Sequence, residues 1–281
     1  MGSLASQIYR FISESSSKVN FSELRAYIRT VTPIDGKVLK GLVNQLVEEG
    51  KLQYTTHFGG TYLEVSYASP QQISDNVVIQ PFGTRHPSTD FPCVVSLEKG
   101  ASFGGGEHPS TRLAIRLMDS FLYQSPLGKR LFAFRAVDIG TGSGVLAIVA
   151  AKMGVGSVWG IDIDPCSVFE ARRNVVLNHL DKRVRISDKG LDIISGAVDV
   201  VLANLRFPTL SSLGEQLDGR VKRDGIIIFS GLRLTEMDDI CSSYERFGFS
   251  PAKKIVENGW GAICLIRGSL LGQFLASTHR P

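Results

Sequence analysis

A run of five residues with three glycines, Gly140-Thr141-Gly142-Ser143-Gly144, constrains this 281-residue chain more than any other feature. Residues 136–139 before it are typical of a buried strand, and residues 145–152 after it are helical in character. A strand that enters a helix through a glycine turn forms a nucleotide-binding corner, because glycine permits the tight turn and the free amides of the helix start face the ligand. We therefore predict an α/β sheet with a ligand site at this turn.

The spacing of the three glycines distinguishes between ligands. A dinucleotide fingerprint reads Gly-x-Gly-x-x-Gly, and Val145 stands where that pattern requires its third glycine. The spacing Asp-x-Gly-x-Gly-x-Gly, from Asp138 to Gly144, instead resembles the loop that binds S-adenosylmethionine in Rossmann-like methyltransferases. That ligand has no pyrophosphate, so the corner would cradle its carboxypropyl chain and its ribose.

A second predicted strand, residues 157–161, ends at Asp162, about 20 residues beyond Gly140, where an acidic side chain accepts hydrogen bonds from ribose hydroxyls. Asp164 is a competing candidate, but its position before Pro165 predicts a helix cap. A strand, a glycine loop, a helix, a second strand and a terminal acidic residue follow one another along the chain with the expected spacing, which favours a binding site over a chance glycine cluster.

The remaining chain continues to alternate between helices and strands. The predicted elements are a helix over 165–178 and strands over 199–203, 225–229, 255–256 and 262–266, the last two forming an antiparallel hairpin. This strand count favours a seven-stranded methyltransferase sheet over a six-stranded parallel dehydrogenase sheet. Because ligands of open α/β sheets bind beyond the carboxyl ends of the strands, we expect Asp138, Asp162 and Asn204 at one edge.

Residues 1–68 predict a separate small domain. Three amphipathic helical patterns occur there, the second preceded by Asn20 with Glu23 three residues on, and the third running from Asp35 to Glu49. Two alternating runs follow and predict a β-hairpin. Three helices and a hairpin are typical of a winged helix-turn-helix, which binds DNA, dimerises or grips a protein. The third helix ends in two glutamates and the charges of this region nearly balance, so we expect protein contact or dimerisation rather than duplex DNA binding.

Composition excludes several other classes. The chain is 43% hydrophobic and 21% charged, which is typical of a globular protein, and its net charge of +4 is too small to indicate a nucleic-acid binder. The apolar run 145–151 is far shorter than the about 20 residues of a membrane span, and no basic and apolar leader begins the chain. The four cysteines lack Cys-x-x-Cys spacing, so we expect no metal site, no disulfides and a cytoplasmic location.

A linker with short strands is predicted over 69–102, where Pro, Ser and Thr are frequent. A His-Pro-Ser-Thr tetrad occurs at 86–89 and again at 108–111. Only the second tetrad follows a glycine run and precedes an amphipathic pattern, so it predicts a glycine loop closed by a helix start. We interpret the first tetrad as a chance recurrence in a surface loop.

Five motifs, taken together, resemble the PrmA family of S-adenosylmethionine-dependent class I methyltransferases. They are Phe-Gly-Gly-Gly-Glu-His-Pro-Ser-Thr at 103–111, Asp-Ile-Gly-Thr-Gly-Ser-Gly at 138–144, Ile-Asp-Ile-Asp-Pro at 161–165, Ala-Asn-Leu at 203–205 and Ser-Gly-Leu at 230–232. The resemblance spans about 94–267. It implies a Rossmann-like seven-stranded methyltransferase domain over 103–281, S-adenosylmethionine as cofactor, and methylation of amino groups of a large-subunit ribosomal protein.

The resemblance also implies which residues contact the cofactor. With the glycines of the turn included, the candidate cofactor-binding residues are Phe103, Gly104, Thr111, Asp138, Gly140, Gly142, Gly144, Asp162 and Asn204. Two departures from the family leave the acceptor open among proteins, peptides and small molecules. The N-terminal domain differs from that of the better-known members, and Arg206-Phe207-Pro208 replace the small residues that follow Ala-Asn-Leu.

Two residues are candidates for catalysis. Asn204, at a strand end, is expected to orient the acceptor amine, and the loop 103–111 is expected to fold over the cofactor. His108 is a candidate base, although a histidine before proline at a helix start is also typical of a cap. Residues 269–281 predict a short helix that docks on the body of the protein or on a partner.

Three function classes stay open. They are a protein N-methyltransferase, a small-molecule methyltransferase that dimerises through its winged helix, and a non-enzymatic ligand-sensing regulator, which the charge balance of the N-terminal domain disfavours.

Overall fold

The structure is a computed structural model that describes residues 4–15, 17–57, 59–84, 91–98 and 100–268. The chain divides into two units, Met1–Pro70 and Gln71–Pro281. The domain bounds 1–68, 69–102 and 103–281 stay predictions. The first His-Pro-Ser-Thr tetrad and the proposed helix within 269–281 lie outside the described residues.

The first unit has the element order that its sequence predicts. Its elements are α1 (Leu4–Glu14), α2 (Phe21–Val31), α3 (Gly36–Glu48), β1 (Leu52–His57) and β2 (Gly60–Val65). The capping box of α2 is formed, because Asn20 Oδ1 accepts from the amide of Glu23 at 3.0 Å and Glu23 accepts from the amide of Asn20 at 2.9 Å. Fully buried Ile8, Leu24 and Leu39 join the three helices in one core. The winged-helix assignment itself stays a prediction.

The second unit begins with a small three-stranded sheet. Its strands are β3 (Gln71–Gln72), β4 (Val77–Pro81) and β5 (Cys93–Leu97), with β4 and β5 parallel. Buried Val77 and Val95 belong to the same apolar cluster as the side chains of the helix α5 (Val145–Lys152). Within the described residues, the segment predicted as a linker therefore contributes to the core of the second unit.

The main sheet has seven strands, as the sequence predicts. The elements of this part of the chain, besides α5, are α4 (Pro109–Met118), a π-helical turn (Asp119–Tyr123), a 3-10 segment (Pro126–Ala133), β6 (Arg135–Ile139), β7 (Ser157–Ile161), α6 (Pro165–Leu177), β8 (Val184–Ser187), a 3-10 turn (Leu191–Ile193), β9 (Val198–Asn204), α7 (Phe207–Ser212), α8 (Gly214–Asp218), β10 (Val221–Arg233), a 3-10 turn (Leu234–Glu236), α9 (Met237–Glu245), β11 (Phe249–Glu257) and β12 (Trp260–Arg267). The strand order is β11-β12-β10-β9-β6-β7-β8.

The strand order places the site at β6. The chain first continues from β6 to β7 and β8 on one side, and then to β9 and β10 on the other, so the order reverses at β6. Strands β10, β9, β6, β7 and β8 are parallel, whereas β12 is antiparallel to both β10 and β11. In open sheets the crevice for a ligand opens at such a reversal, beyond the carboxyl ends of the strands.

Apolar layers cover both faces of the sheet. One layer contains α4, α5 and α6, and seven residues of α5, Val145–Ala151, are buried, which explains the unbroken apolar run in the sequence. The other layer contains α7, α8 and α9, where Tyr244 packs edge-on against Phe229 and donates its hydroxyl to the carbonyl of Leu210 at 2.7 Å. Within the described residues, no helix combines the length and apolar composition that a membrane span requires.

Candidate functional site

The glycine turn follows β6 and is closed by its own hydrogen bonds. Gly140, Gly142 and Gly144 have φ angles of +68°, +53° and +84°. All five amides of residues 140–144 donate to protein acceptors, two of them to the carbonyl of Ile161 and one to Asp162. The turn therefore offers none of these five amides to a ligand; the free amides expected at the helix start belong to α5, which begins at Val145.

The side chain of Asp138, in β6, accepts hydrogen bonds from the turn and from the helix that follows it. Its Oδ2 accepts from the hydroxyl of Thr141 at 2.6 Å and from the amide of Ala147 at 3.1 Å. The side chain is buried, and its Oδ1 has no hydrogen-bond partner among the described residues. Burial raises the pKa of Asp138 to about 7, against the smaller opposite effect of its two hydrogen bonds. The position combines an orphaned acceptor with a readily protonated carboxyl group.

Asp162 lies next to the turn, at the end of β7. Its Oδ2 accepts from the amide of Gly142 at 2.8 Å, and its Oδ1 accepts from the amide of Asp164 at 3.0 Å. Each carboxylate oxygen retains lone pairs for further donors. Asp164 instead caps α6 by accepting from the amide of Cys166 at 3.0 Å, which confirms the capping interpretation and leaves Asp162 as the ribose candidate.

The loop before α4 packs directly on the glycine turn. The carbonyl of Phe103 accepts from the amide of Ser143 at 2.9 Å, and the carbonyl of Gly104 accepts from the hydroxyl of Ser143 at 2.9 Å. A Cβ on Gly142 would collide with the carbonyl of Phe103, so the close approach requires glycine. The side chain of Phe103 remains 52% exposed.

His108 caps α4 and lies among aromatic and cationic groups. Its Nδ1 accepts from the amide of Ser110 at 3.2 Å, and its ring packs edge-on against Trp260 with centroids 4.5 Å apart. Burial, with the charges of Arg112 and Arg233, lowers the pKa of His108. The ring is therefore neutral near pH 7 and, with Nδ1 used as the acceptor, carries its proton on Nε2.

Asn204 ends β9 and is held by α4. Its Nδ2 donates to the hydroxyl of Thr111 at 3.2 Å, and Thr111 is fully buried. In the neighbouring strand β10, Ser230 pairs with Asn204 and donates its hydroxyl to the carbonyl of Ser110 at 2.6 Å. These contacts fix the amide of Asn204 at the carboxyl edge of the sheet.

A cavity of about 700 Å³ opens at this edge. The sequence-derived candidates that line it are Phe103, His108, Gly140, Gly142, Asp162 and Asn204. The candidates that support the wall without lining the cavity are Gly104, Thr111, Asp138 and Gly144. Their assignment to cofactor binding stays a prediction.

Several lining residues were missed by the sequence analysis. They are Ile163, Lys189, Gly190, Leu191, Arg206 and Trp260, among others. The sequence analysis did not predict β8, so it could not apply the strand-end rule to Lys189, which follows this parallel strand two residues after Ser187. No such signal marks Trp260, which enters from the antiparallel strand β12.

The reversed strand order and the crevice at β6 are those of the Rossmann-like class I methyltransferase fold. The family model described as ribosomal protein L11 methyltransferase (PrmA) matches residues 61–267, and the chain belongs to this family. The relative from Clostridium perfringens (strain ATCC 13124) is 30% identical over 197 residues, covering 70% of this chain and 60% of that relative. The relative from Bacillus cereus (strain ATCC 10987) is 35% identical over 199 residues, covering 70% and 61%. Both are named ribosomal protein L11 methyltransferase.

Solved structures share this fold. The crystal structure of ribosomal protein L11 methylase from Lactobacillus delbrueckii subsp. bulgaricus gives a TM-score of 0.61 at 27% identity, covering 72% of this chain and 100% of that chain. A methyltransferase from Pyrococcus furiosus, at 19% identity and a TM-score of 0.50, covers 62% of this chain and 90% of its own and is similar in fold alone. The chain spans about 60% of the length of the curated relatives from C. perfringens and B. cereus.

Proposed function

We propose that the protein is an S-adenosylmethionine-dependent methyltransferase that methylates amino groups of a protein. The observation that carries this proposal is a single cavity lined by the glycine turn, by Asp162 and by Asn204. Membership of a family whose curated relatives are named for methylating ribosomal protein L11 supports a ribosomal protein as substrate.

The residues of the turn fit S-adenosylmethionine better than a dinucleotide. The five amides of residues 140–144 are engaged and donate none to a pyrophosphate, and Val145 stands where a dinucleotide loop has its third glycine. A ligand with a cationic sulfonium and an ammonium group instead suits a corner that the carboxylate of Asp162 lines and that the buried carboxyl group of Asp138 supports. Asp162 would hold the ribose hydroxyls, and Gly140 and Gly142 would line the wall along the ligand.

The cofactor, when bound, supplies a methyl group on a positively charged sulfur. The role of the protein is then to orient the acceptor amine and to exclude water. Thr111 holds the Nδ2 of Asn204, so the Oδ1 of Asn204 is the group we assign to accepting a hydrogen bond from an N–H of the amine, which directs the lone pair of the amine. His108 fits a structural role better than that of a base, because protonation of its Nδ1 would break the cap of α4.

We assign the first unit to contact with the protein substrate or to dimerisation, and the enzyme to the cytoplasm. The near balance of charges in residues 1–70 disfavours duplex DNA as the partner of this unit. The cytoplasmic assignment rests on the four cysteines, which lack Cys-x-x-Cys spacing.

The test is incubation of the protein with methyl-labelled S-adenosylmethionine and a lysate of its own cells. A labelled protein band is the expected result. A labelled extractable metabolite alone would instead indicate a small-molecule methyltransferase, and retention on specific DNA without transfer would indicate a regulator. Calorimetry that finds no binding of S-adenosylmethionine but tight binding of NADH would refute the proposal.

The role of Asn204 is tested by Asn204→Ala. We expect turnover to fall at least about tenfold at saturating cofactor, since the amine loses its positioning group. Gln72→Ala, an amide-to-alanine change on β3, is the matched control and should retain turnover. Full turnover of Asn204→Ala would show that the amide does not orient the acceptor.

A further inference from the structure

Two arginines surround Trp260 at one end of the cavity. The guanidinium of Arg233 lies 4.2 Å from the centroid of the indole ring, and that of Arg206 lies 5.8 Å from it. Both arginine side chains are exposed, and Arg206 and Trp260 line the cavity together with Asn204. We call the group formed by Arg206, Trp260 and Arg233 the arginine end; Arg206 and Trp260 line the cavity, and Arg233 packs on the indole ring of Trp260.

The charges at the arginine end are not neutralised by neighbouring carboxylates. Among the described residues, neither Arg206 nor Arg233 forms an ion pair. The nearby Glu257 is engaged with two other arginines, as its Oε1 accepts from Arg112 Nε at 2.8 Å and its Oε2 from Arg116 at 2.6 Å. The arginine end therefore presents net positive charge to whatever enters it.

Glu236 is the other carboxylate close to Arg233. Its Oε2 accepts from the backbone amide of Arg233 at 2.6 Å, so it caps the turn that follows β10. The negative side chain that lines the cavity, Asp162, belongs to β7. Strands β10, β9 and β6 separate β12 from β7, so Asp162 and Trp260 lie at opposite ends of the crevice.

Such an arrangement repels an acceptor that presents only an ammonium group. A carboxylate beside the amine turns this repulsion into attraction, because the guanidinium groups of Arg206 and Arg233 can bind the carboxylate through parallel hydrogen bonds. The two positive charges also favour the neutral form of an amine held next to them, which is the form that attacks a methyl group.

We propose that Arg206 and Arg233 form an anion-binding subsite around Trp260 that selects a protein segment with a carboxylate side chain next to the acceptor amine. The inference rests on the proposed methyltransferase function and names its substrate class. The sequence places Arg206 two residues after Asn204, so the group that orients the amine and the group that binds the neighbouring carboxylate belong to one short segment.

The test uses two peptides of equal length with a central lysine, flanked either by glutamates or by glutamines. Binding is followed in the full chain carrying Trp159→Phe, which leaves Trp260 as the sole tryptophan of the two in the sequence. We expect the acidic peptide to change the fluorescence of Trp260 at a roughly tenfold lower concentration than the neutral peptide, and this ratio should shrink as salt rises. Methyl transfer to the acidic peptide should show the same preference in KM.

Arginine variants assign the preference to the subsite. Arg206→Gln and Arg233→Gln should each raise the KM for the acidic peptide roughly two- to fivefold with little change in kcat. Arg206→Lys and Arg233→Lys keep the positive charge and should bring the KM for this peptide most of the way back to that of the parent. Arg223→Gln, at the opposite end of the same strand β10, is the matched control. Equal losses for the acidic and neutral peptides would indicate a merely structural role and overturn the proposal.

Other outcomes also overturn it. Equal binding of the two peptides, or no binding of either, would refute the subsite, whereas calorimetry with S-adenosylmethionine tests the proposed function separately. If free glutamate binds at Trp260 and neither peptide does, the same arginines serve a small carboxylic acid and the assignment to a protein segment is wrong.

Discussion

The buried carboxyl group of Asp138 makes the stability of the second unit depend on pH. Burial raises its pKa from an ordinary value of 3.8 to about 7. Between these two values the folded state keeps a proton that the unfolded chain has lost. The free energy of unfolding must therefore fall as pH rises from about 4 to about 7, because deprotonation favours the unfolded chain there.

The size of the effect follows from the width of that window. Each unit of pKa difference is worth about 1.4 kcal/mol, so a window of about three units gives an upper limit near 4 kcal/mol. Asp138→Asn removes the titration but leaves an acceptor for Thr141 and Ala147. It also puts an amide NH₂ where Oδ1 has no partner, at a cost of about 1–3 kcal/mol that does not depend on pH. We expect the variant to be less stable than the parent at pH 4 and more stable at pH 7.

Urea unfolding followed by tryptophan fluorescence measures this effect in the right part of the chain. Both tryptophans, Trp159 and Trp260, belong to the second unit. The difference between parent and Asp138→Asn should change by several kcal/mol between pH 4 and 7 and then level off. Asp164→Asn is the matched control, since asparagine caps a helix as well as aspartate does. Parallel stability curves for the parent and Asp138→Asn would refute the reasoning.

Three further changes test the contacts around the site. Gly142→Ala should weaken S-adenosylmethionine binding at least about tenfold in calorimetry, because a Cβ would collide with the carbonyl of Phe103, whereas Gly219→Ala has open space and should bind normally. Unchanged affinity of Gly142→Ala would contradict the close approach. Glu257→Gln should lower the free energy of unfolding in urea by about 2 kcal/mol, because Arg112, only 12% exposed, loses its charged partner. An unchanged unfolding midpoint would show that this ion pair does not contribute to stability. Tyr244→Phe should cost about 1 kcal/mol by the same measurement, and a larger loss would mean that the ring has also repacked.

The sheet could be predicted because its signals are local. The strands that were predicted in the main sheet contain short apolar runs, and the terminal hairpin turns at Asn258-Gly259, where both φ angles are positive. Strand β8, with the sequence Val-Arg-Ile-Ser, has no such run and was not predicted. The helix order of the first unit was equally readable from periodicity and from the Asn20–Glu23 cap. The contribution of β4 and β5 to the core of the second unit was harder to predict from the sequence, because β4 pairs with β5 across residues whose composition is typical of a loop.

The site could be predicted only where the strand-end rule applies. Asp162 and Asn204 follow parallel strands, and both line the cavity. Trp260 escapes the rule, because the antiparallel pairing of β12 with β10 puts Trp260 opposite Arg233. The hydrogen bonds of the glycine-turn amides could not be predicted from the sequence either. The amide of Ser143, for example, donates to the carbonyl of Phe103, which is distant in sequence and belongs to a different loop.

The distribution of charge along the crevice connects the two proposals. Methyl transfer from a sulfonium to an amine must bring together two groups that both tend to be positive, and their repulsion is strongest where water is excluded. The β7 side of the crevice places Asp162 beside the turn that Asp138 supports, which favours a cationic ligand there. The β12 side carries Arg206 and Arg233, which disfavour a second cation unless a carboxylate accompanies it. Under the two proposals Asp162 holds the ribose at the β7 end, the arginine end holds the carboxylate beside the amine, and the amine meets the sulfonium between these two ends.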